Sequence, residues 1–260
     1  MQKRHTDKKQ YFDEQVYTTS TYVIPFLERT LPIVEGMRIL EIGCGEAGNL
    51  QPFLDKGCVC YGLDINEYRI EIGKEFFAQH PNKELLHLEV RNIYDKTDTS
   101  TYDVIFLRDV IEHIPEQEKF MKFLRNFMHD KTIVFFAFPP WQNPFGGHQQ
   151  TCKSKALSHF PFMHLLPKKV YHSLLKSFGE NEAKITDLLE IKETGISIER
   201  FEKCLKEADL KILEKELYFI NPNYEVKFGL KPRKTARILR SIPYFKNVVT
   251  TCLYCTVARK

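Results

Sequence analysis

The sequence predicts an α/β fold built on a mostly parallel sheet with helices on both faces, and two observations carry that prediction. Short apolar runs of strand length alternate with helix-length stretches from residue 38 to residue 138, the order that yields strand–helix–strand units with right-handed crossovers. The second observation is the stretch M-R-I-L-E-I-G-C-G-E-A-G at 37–48, a strand running into a glycine-rich turn. About twenty residues later the apolar run V-C-Y-G-L-D ends on Asp64. Glycine turns the chain sharply and lets a ligand touch main chain, and an acid ending the neighbouring strand can accept hydrogen bonds from two ribose hydroxyls. Together they mark a nucleotide-type cofactor site.

The elements follow in order. Aromatic and aliphatic residues at helical spacing predict a helix over 11–29 that packs over the mouth of the site. The core then reads as a strand at 38–42, a helix at 47–56, a strand at 59–64, a helix at 67–80, strands starting at Leu86 and Tyr102, a helix at 116–129 and a strand at 132–138. Ligands of such sheets bind at the carboxyl ends of the strands, where Gly43, Asp64, Asn92, Arg108 and Pro139 fall. The alternation breaks over 139–197 and resumes with a helix at 198–208, a strand at 210–220 and a last strand at 248–257. We expect one domain: a helical cap at 1–36, a cofactor-binding core at 37–138, a lid insertion at 139–197, and C-terminal strands at 198–260 carrying a basic insertion.

Gly43, Gly45 and Gly48 alone also satisfy a dinucleotide pattern. Glu41, two residues before the first glycine, and the run Y-D-V-I-F-L-R-D-V-I-E-H-I-P at 102–115 separate the readings. The set E-I-G-C-G-E-A-G, G-L-D-I and Y-D-V-I-F-L-R-D-V-I-E-H-I resembles the class I S-adenosylmethionine-dependent methyltransferases, in particular the small-molecule group related to the ubiquinone-pathway O-methyltransferases, over roughly residues 37–138. The resemblance implies a Rossmann-like class I methyltransferase fold with a seven-stranded sheet, and S-adenosyl-L-methionine as cofactor. By that analogy Gly43 and Gly45 face the methionine moiety, Glu41 orders the loop and the amino end, and Asp64 holds the ribose. Cys44, Ile65 and Arg108 complete the candidate contacts, Cys44 as the spacer between two glycines. The family's third strand commonly ends in a Gly-Asp or similar pair that receives the adenine amino group. Here Val90-Arg91-Asn92-Ile93 stands in its place, so Asn92 keeps a carbonyl acceptor without the charge, and Ile93 offers a backbone N–H and an apolar face.

Methyl transfer from a sulfonium is an in-line displacement that gains from holding the reactants together, and a base adds to the rate when the acceptor is a hydroxyl. His113, just after the fourth strand, and His148, behind Gly146-Gly147 in the insertion, are the candidate catalytic residues. Gly147 reads as a hinge that would carry His148 toward the substrate. The insertion also holds Trp141, the one tryptophan, with His159, His164 and His172; its competing reading is a cap whose aromatics bury one another.

Several function classes lose ground on composition. No apolar run approaches the eighteen or so residues that cross a bilayer, and the first ten residues lack the apolar core of a signal peptide, so a cytoplasmic protein is expected. Seven scattered cysteines suit a reducing compartment. Cys252 and Cys255 lie three apart on the expected last strand and point to opposite faces, so no metal site is expected there or elsewhere. Pro139-Pro140-Trp141 resembles the motif of base-amine methyltransferases but follows the fifth strand, not the fourth, which makes nucleic acid an unlikely acceptor and leaves the prolines to stiffen the lid's entry. A small-molecule or lipid- or saccharide-like acceptor is expected; the alternatives are a nucleic-acid methyltransferase and a cofactor-binding protein without transfer activity. Residues 226–260 hold nine Lys or Arg and no acid. Arg233, Arg237 and Arg240 are expected on one face of a short helix there, able to meet an anionic membrane surface or a phosphorylated acceptor.

Overall fold

The computed structural model describes residues 7–95 and 100–260. The first six residues, part of the stretch read for a signal peptide, lie outside the described residues. Eight strands form one sheet: β1 (Arg38–Ile42), β2 (Val59–Asp64), β3 (Leu86–Val90), β4 (Tyr102–Arg108), β5 (Met128–Phe138), β6 (Leu210–Ile220), β7 (Arg233–Lys234) and β8 (Cys252–Arg259), in the order β3-β2-β1-β4-β5-β8-β6-β7. The first five pair in parallel, and β8 runs antiparallel between β5 and β6. The α/β reading therefore holds, with one strand more than the seven expected. The addition is the two-residue edge strand β7, which the basic insertion lays against the end of β6.

Alternation along each strand splits the apolar residues between two faces. Leu40, Ile105, Phe136 and Cys255 belong to one core, closed by the helices Gln117–Leu124 and Ile198–Glu207. Ile39, Val104, Phe135 and Cys252 belong to the other, closed by the helices at Lys8–Thr18, Gln51–Asp55 and Glu67–Phe77. Cys252 and Cys255 thus point to opposite faces, as their spacing predicts. The helix expected at 47–56 is confined to Gln51–Asp55, because Ala47 takes a left-handed conformation, φ +63°, that keeps the loop going before Pro52 opens the helix. The last strand starts at Cys252 instead of residue 248, since Phe245–Val248 turns as a helix first.

The N-terminal helix is capped by the Asp7 side chain, which accepts from the Gln10 amide, and passes through a π-helical segment, Thr19–Val23, before Ile24–Leu27. It crosses directly over the glycine loop: a Cβ on Gly48 would stand 2.7 Å from the Phe12 carbonyl oxygen. The insertion is built of helices joined by turns. Its helices Lys155–His159, Lys168–Ser177 and Glu182–Thr194 enclose a small core of their own, with Leu157, Tyr171, Ile185 and Leu188 at its centre. Its two ends are tied together where the Trp141 amide donates to the Ile196 carbonyl at 2.9 Å.

The basic segment departs from its expected form. Arg233 lies in β7 and the helix is a single turn, Arg237–Arg240, so the three arginines do not share a helical face. Lys234 and Arg240 both pair with Glu216, an acid of β6 that the composition of 226–260 alone conceals.

Candidate active site

Backbone geometry at the end of β1 makes a cradle. Gly43 and Gly45 both have positive φ, +69° and +56°, and the Gly43 and Cys44 amides donate to the Leu63 carbonyl at 2.7 and 3.1 Å. The loop is thereby clamped to the end of β2. Asp64, buried there, accepts from the Gly45 amide at 2.8 Å through Oδ2 and from the Asn66 amide at 2.8 Å through Oδ1. Each carboxylate oxygen has lone pairs to spare after one bond, so Asp64 can order the loop and still accept ribose hydroxyls. Cys44 turns its side chain into the core beside Gly62, which leaves it only main chain to offer a ligand, and burial raises its thiol pKa out of the reactive range.

Beneath the cradle lies a network that the sequence reading only half contained. Glu41 is buried and accepts from Asn49 Nδ2 at 2.6 Å; Asn49 Oδ1 in turn accepts from Arg108 Nη1 and from Thr19 Oγ1, each at 2.9 Å. Burial drives the Glu41 pKa up to about 8, against the opposing pull of Asn49 and Arg108. Its second oxygen, Oε2, is buried with no partner among the described residues, which fits the ammonium end of an amino acid. Asn49 and Thr19 were missed. Asn49 follows Gly48 directly, but nothing in sequence marks Thr19, which reaches the network from a π-helical turn thirty residues away.

Farther along the strand ends, Ile65 is 77% exposed and Val90 48%, two uncovered apolar side chains flanking the place expected for a flat ring. Asn92 is exposed but its Oδ1 already accepts from the Tyr94 amide at 3.1 Å, which leaves one lone pair for an adenine amino group. Ile93 is a correction: its side chain belongs to the core, so the apolar face is not presented and only its main chain is available.

A cavity of about 450 Å³ opens beside the cradle. Lys8, Tyr11 and Arg69 line one wall, Asp109, His113 and Pro139 another, and Asn143, Phe145, His148, Gln150 and Thr151 from the insertion a third; Asn223 and Tyr224 close the rim. A hollow of similar size at the β3 edge, around Lys74 and His87, contains neither Arg69, which overlies Gly45, nor His113 and His148. His113 and His148, expected from separate segments, meet with ring centroids 5.0 Å apart. Crowding away from water lowers the pKa of His113, with Asp109 pulling the other way, and burial pushes His148 down to about 3. Both are neutral at neutral pH, the form that can accept a proton.

The Gly146-Gly147 pair is not a free hinge. A Cβ on Gly146 would stand 2.3 Å from the Trp141 carbonyl oxygen, and one on Gly147 would stand 2.1 Å from His164 Cβ, so both glycines serve close packing. Trp141 itself packs edge-on against His164 and under Lys192, in the manner of the cap reading. Glu112 was not singled out from sequence. Its carboxylate is buried without a hydrogen-bond partner among the described residues, 3.9 Å from His148 Nε2. With His113 these groups place three ligand atoms within 4.8 Å of one another, a set able to hold a divalent cation, where the sequence reading had expected none.

Comparison with known proteins decides the family. A family model described as a methyltransferase domain matches residues 12–215. The chain belongs to that methyltransferase family. Among curated relatives it is 30% identical over 104 residues to a ubiquinone biosynthesis O-methyltransferase of Mesorhizobium japonicum, covering 40% of this chain and 41% of that one. It is 25% identical over 173 residues to the protein of the same name from Rhizobium johnstonii, covering 63% and 64%. The chain thus spans about two fifths of the first of these relatives and less than two thirds of the second. Solved structures of similar fold include PKMT2 from Rickettsia typhi in complex with AdoHcy, at TM-score 0.56 and 18% identity over 93% of this chain and 54% of that one. Another is magnesium protoporphyrin IX methyltransferase from Synechocystis with bound SAM, at TM-score 0.53 and 12% identity over 95% and 80%. Among the described residues, no helix of this methyltransferase is long and apolar enough to cross a membrane.

Proposed function

We propose that this methyltransferase uses S-adenosyl-L-methionine to O-methylate a small-molecule acceptor held in the cavity between the glycine cradle and the helical insertion. The observation that carries the reading is the glycine turn anchored by Asp64 and overlain at Gly45 by Arg69, a residue that lines one cavity together with His113 and His148. The cofactor supplies an electrophilic methyl group on a sulfonium. The turn at Gly43 and Gly45 would present main chain to its amino-acid portion, Glu41 would face the ammonium end, Asp64 would accept the ribose hydroxyls, and Ile65 would cover the ring. Asn143, Phe145 and His148 hold the acceptor and exclude water, which aligns nucleophile and methyl group. A neutral His113, whose pKa burial lowers and Asp109 supports, takes the hydroxyl proton as the new bond forms, with the His148 ring packed against it. The seven cysteines, all free and buried, suit work in a reducing compartment such as the cytoplasm.

The test is release of S-adenosylhomocysteine when the protein is incubated with cofactor and fractionated metabolite extracts. Turnover is expected with small-molecule fractions and unaffected by nuclease. Nuclease-sensitive turnover would point to a nucleic-acid acceptor, and cofactor binding without turnover in any fraction to a non-catalytic binding protein.

For the basic segment we propose an anionic membrane surface as partner. Ile238 and Tyr244 are 78% and 72% exposed beside the exposed Lys231, Arg233 and Arg237, a mixture of apolar and cationic groups that suits a lipid interface. Co-sedimentation with phosphatidylglycerol vesicles at low salt, lost on replacing Arg233 and Arg237 with Gln, is expected; absence of binding at low salt would refute it.

A further inference from the structure

We propose that Arg69 is the residue that takes the carboxylate of the cofactor's amino-acid tail, held ready for it by Glu46. The inference rests on the cofactor reading above and adds a residue that neither the motifs nor the resemblance assigned.

Arg69 stands in the first turn of the helix Glu67–Phe77, which Asn66 caps by accepting from the Arg69 amide. Its guanidinium reaches back over the cradle: a Cβ on Gly45 would lie 2.1 Å from Arg69 Nη2 and 2.4 Å from Cζ. Arg69 also lines the cavity, so it is the side chain that joins the two halves of the site. Nε and Nη2 donate to Glu46 Oε2 at 3.1 and 2.6 Å, which fixes the plane of the group and leaves Nη1 without a hydrogen bond among the described residues.

The charged groups around Arg69 meet at Glu46. Glu46 is a fully buried carboxylate shared by two cations, Arg69 on Oε2 and Lys8 on Oε1 at 2.7 Å. That acid is thus divided between two cations, and Asp64, on the Gly45 amide, is the second acid at the lip of the cradle. Arg108, the other arginine near the loop, is spent on Asn49 and buried beneath the glycines. A carboxylate entering beside Gly45 therefore meets Arg69, and a planar guanidinium already oriented by one carboxylate loses little freedom in binding a second.

Titration calorimetry with S-adenosylmethionine and its decarboxylated analogue separates this role from a structural one, because the two ligands differ only in the group assigned to Arg69. Wild-type protein is expected to prefer S-adenosylmethionine. Arg69→Gln is expected to weaken S-adenosylmethionine binding by about 10- to 100-fold, the range for a charged hydrogen bond, while binding the decarboxylated analogue nearly as wild type does. Arg69→Met, which keeps the apolar stem, repeats the test if the glutamine variant fails to fold. Equal weakening of both ligands, or a preference that survives both substitutions, would overturn the assignment. Wild-type protein that binds neither ligand would instead overturn the cofactor reading.

Discussion

His148 Nε2 lies 3.9 Å from Glu112 Oε1, and neither oxygen of that buried carboxylate has any other partner among the described residues. Burial raises the Glu112 pKa well above the usual carboxylate range, with Asp109 adding to the effect, so the acid holds its proton in the folded chain at pH values where the unfolded chain ionises it. Above about pH 4.3 the folded state binds more protons, and stability falls as pH rises. Glu112→Gln removes that penalty. Thermal melts are expected to show the variant gaining on wild type between pH 4.5 and pH 8; a difference that does not change with pH would mean that Glu112 is ionised in the fold.

His148 contributes the opposite slope. Its pKa is pushed down to about 3 by burial first and by His113 next, so the unfolded chain takes up a proton near pH 6.5 that the fold refuses. The stability it contributes is fully present above that pH and is lost as pH falls toward 3. His164, pushed down to about 4, acts with the same sign. His148→Gln is expected to flatten acid unfolding below pH 6.5 while leaving cofactor affinity unchanged and lowering turnover. Loss of cofactor binding in proportion to turnover would make His148 structural.

Much of this site is legible in sequence because its main-chain parts are local. The strand, the turn at Gly43 to Gly45 and the acid at Asp64 follow each other in the chain, and their geometry is set by glycine conformation and by strand register. Side-chain networks are less legible. Glu41 finds Asn49 eight residues on, but Thr19 and Arg108 reach the same amide from a π-helical turn and from β4, contacts that only the assembled sheet creates. Gly147 misled for a related reason. Glycine reads as freedom when seen alone, whereas here it is the only side chain small enough to pass His164. The basic segment misled through composition, since the acid that neutralises Lys234 and Arg240 lies on another strand.

Glu41 and Asp64 predict different balances of binding and stability. Asp64→Ala removes the ribose acceptor together with the anchors of the Gly45 and Asn66 amides, so cofactor affinity should fall by roughly 1–3 kcal/mol and melting temperature should fall with it. Glu41→Gln removes an acid whose pKa is lifted to about 8, and which therefore costs stability progressively as pH rises from about 4.3 toward 8. That variant should melt higher at pH 8 yet bind cofactor more weakly in calorimetry. A Glu41→Gln protein that loses both properties would make the network under the loop its main contribution.

Gly147→Ala discriminates packing from hinge motion. The added methyl would fall 2.1 Å from the Cβ of His164, a fully buried residue whose Nε2 is within 2.7 Å of the Trp141 carbonyl oxygen. Neither partner can retreat without breaking the tie at the base of the insertion. Gly147 is not among the glycines of positive φ, so alanine meets no backbone penalty there and the whole effect is steric. Overpacking of this kind costs about 1–3 kcal/mol. The variant should melt several degrees lower, bind cofactor as wild type does because the cradle lies outside the insertion, and lose turnover in step with the displacement of His148. Unchanged stability with altered turnover would restore the hinge reading, since a hinge substitution alters motion without a packing defect in the ground state.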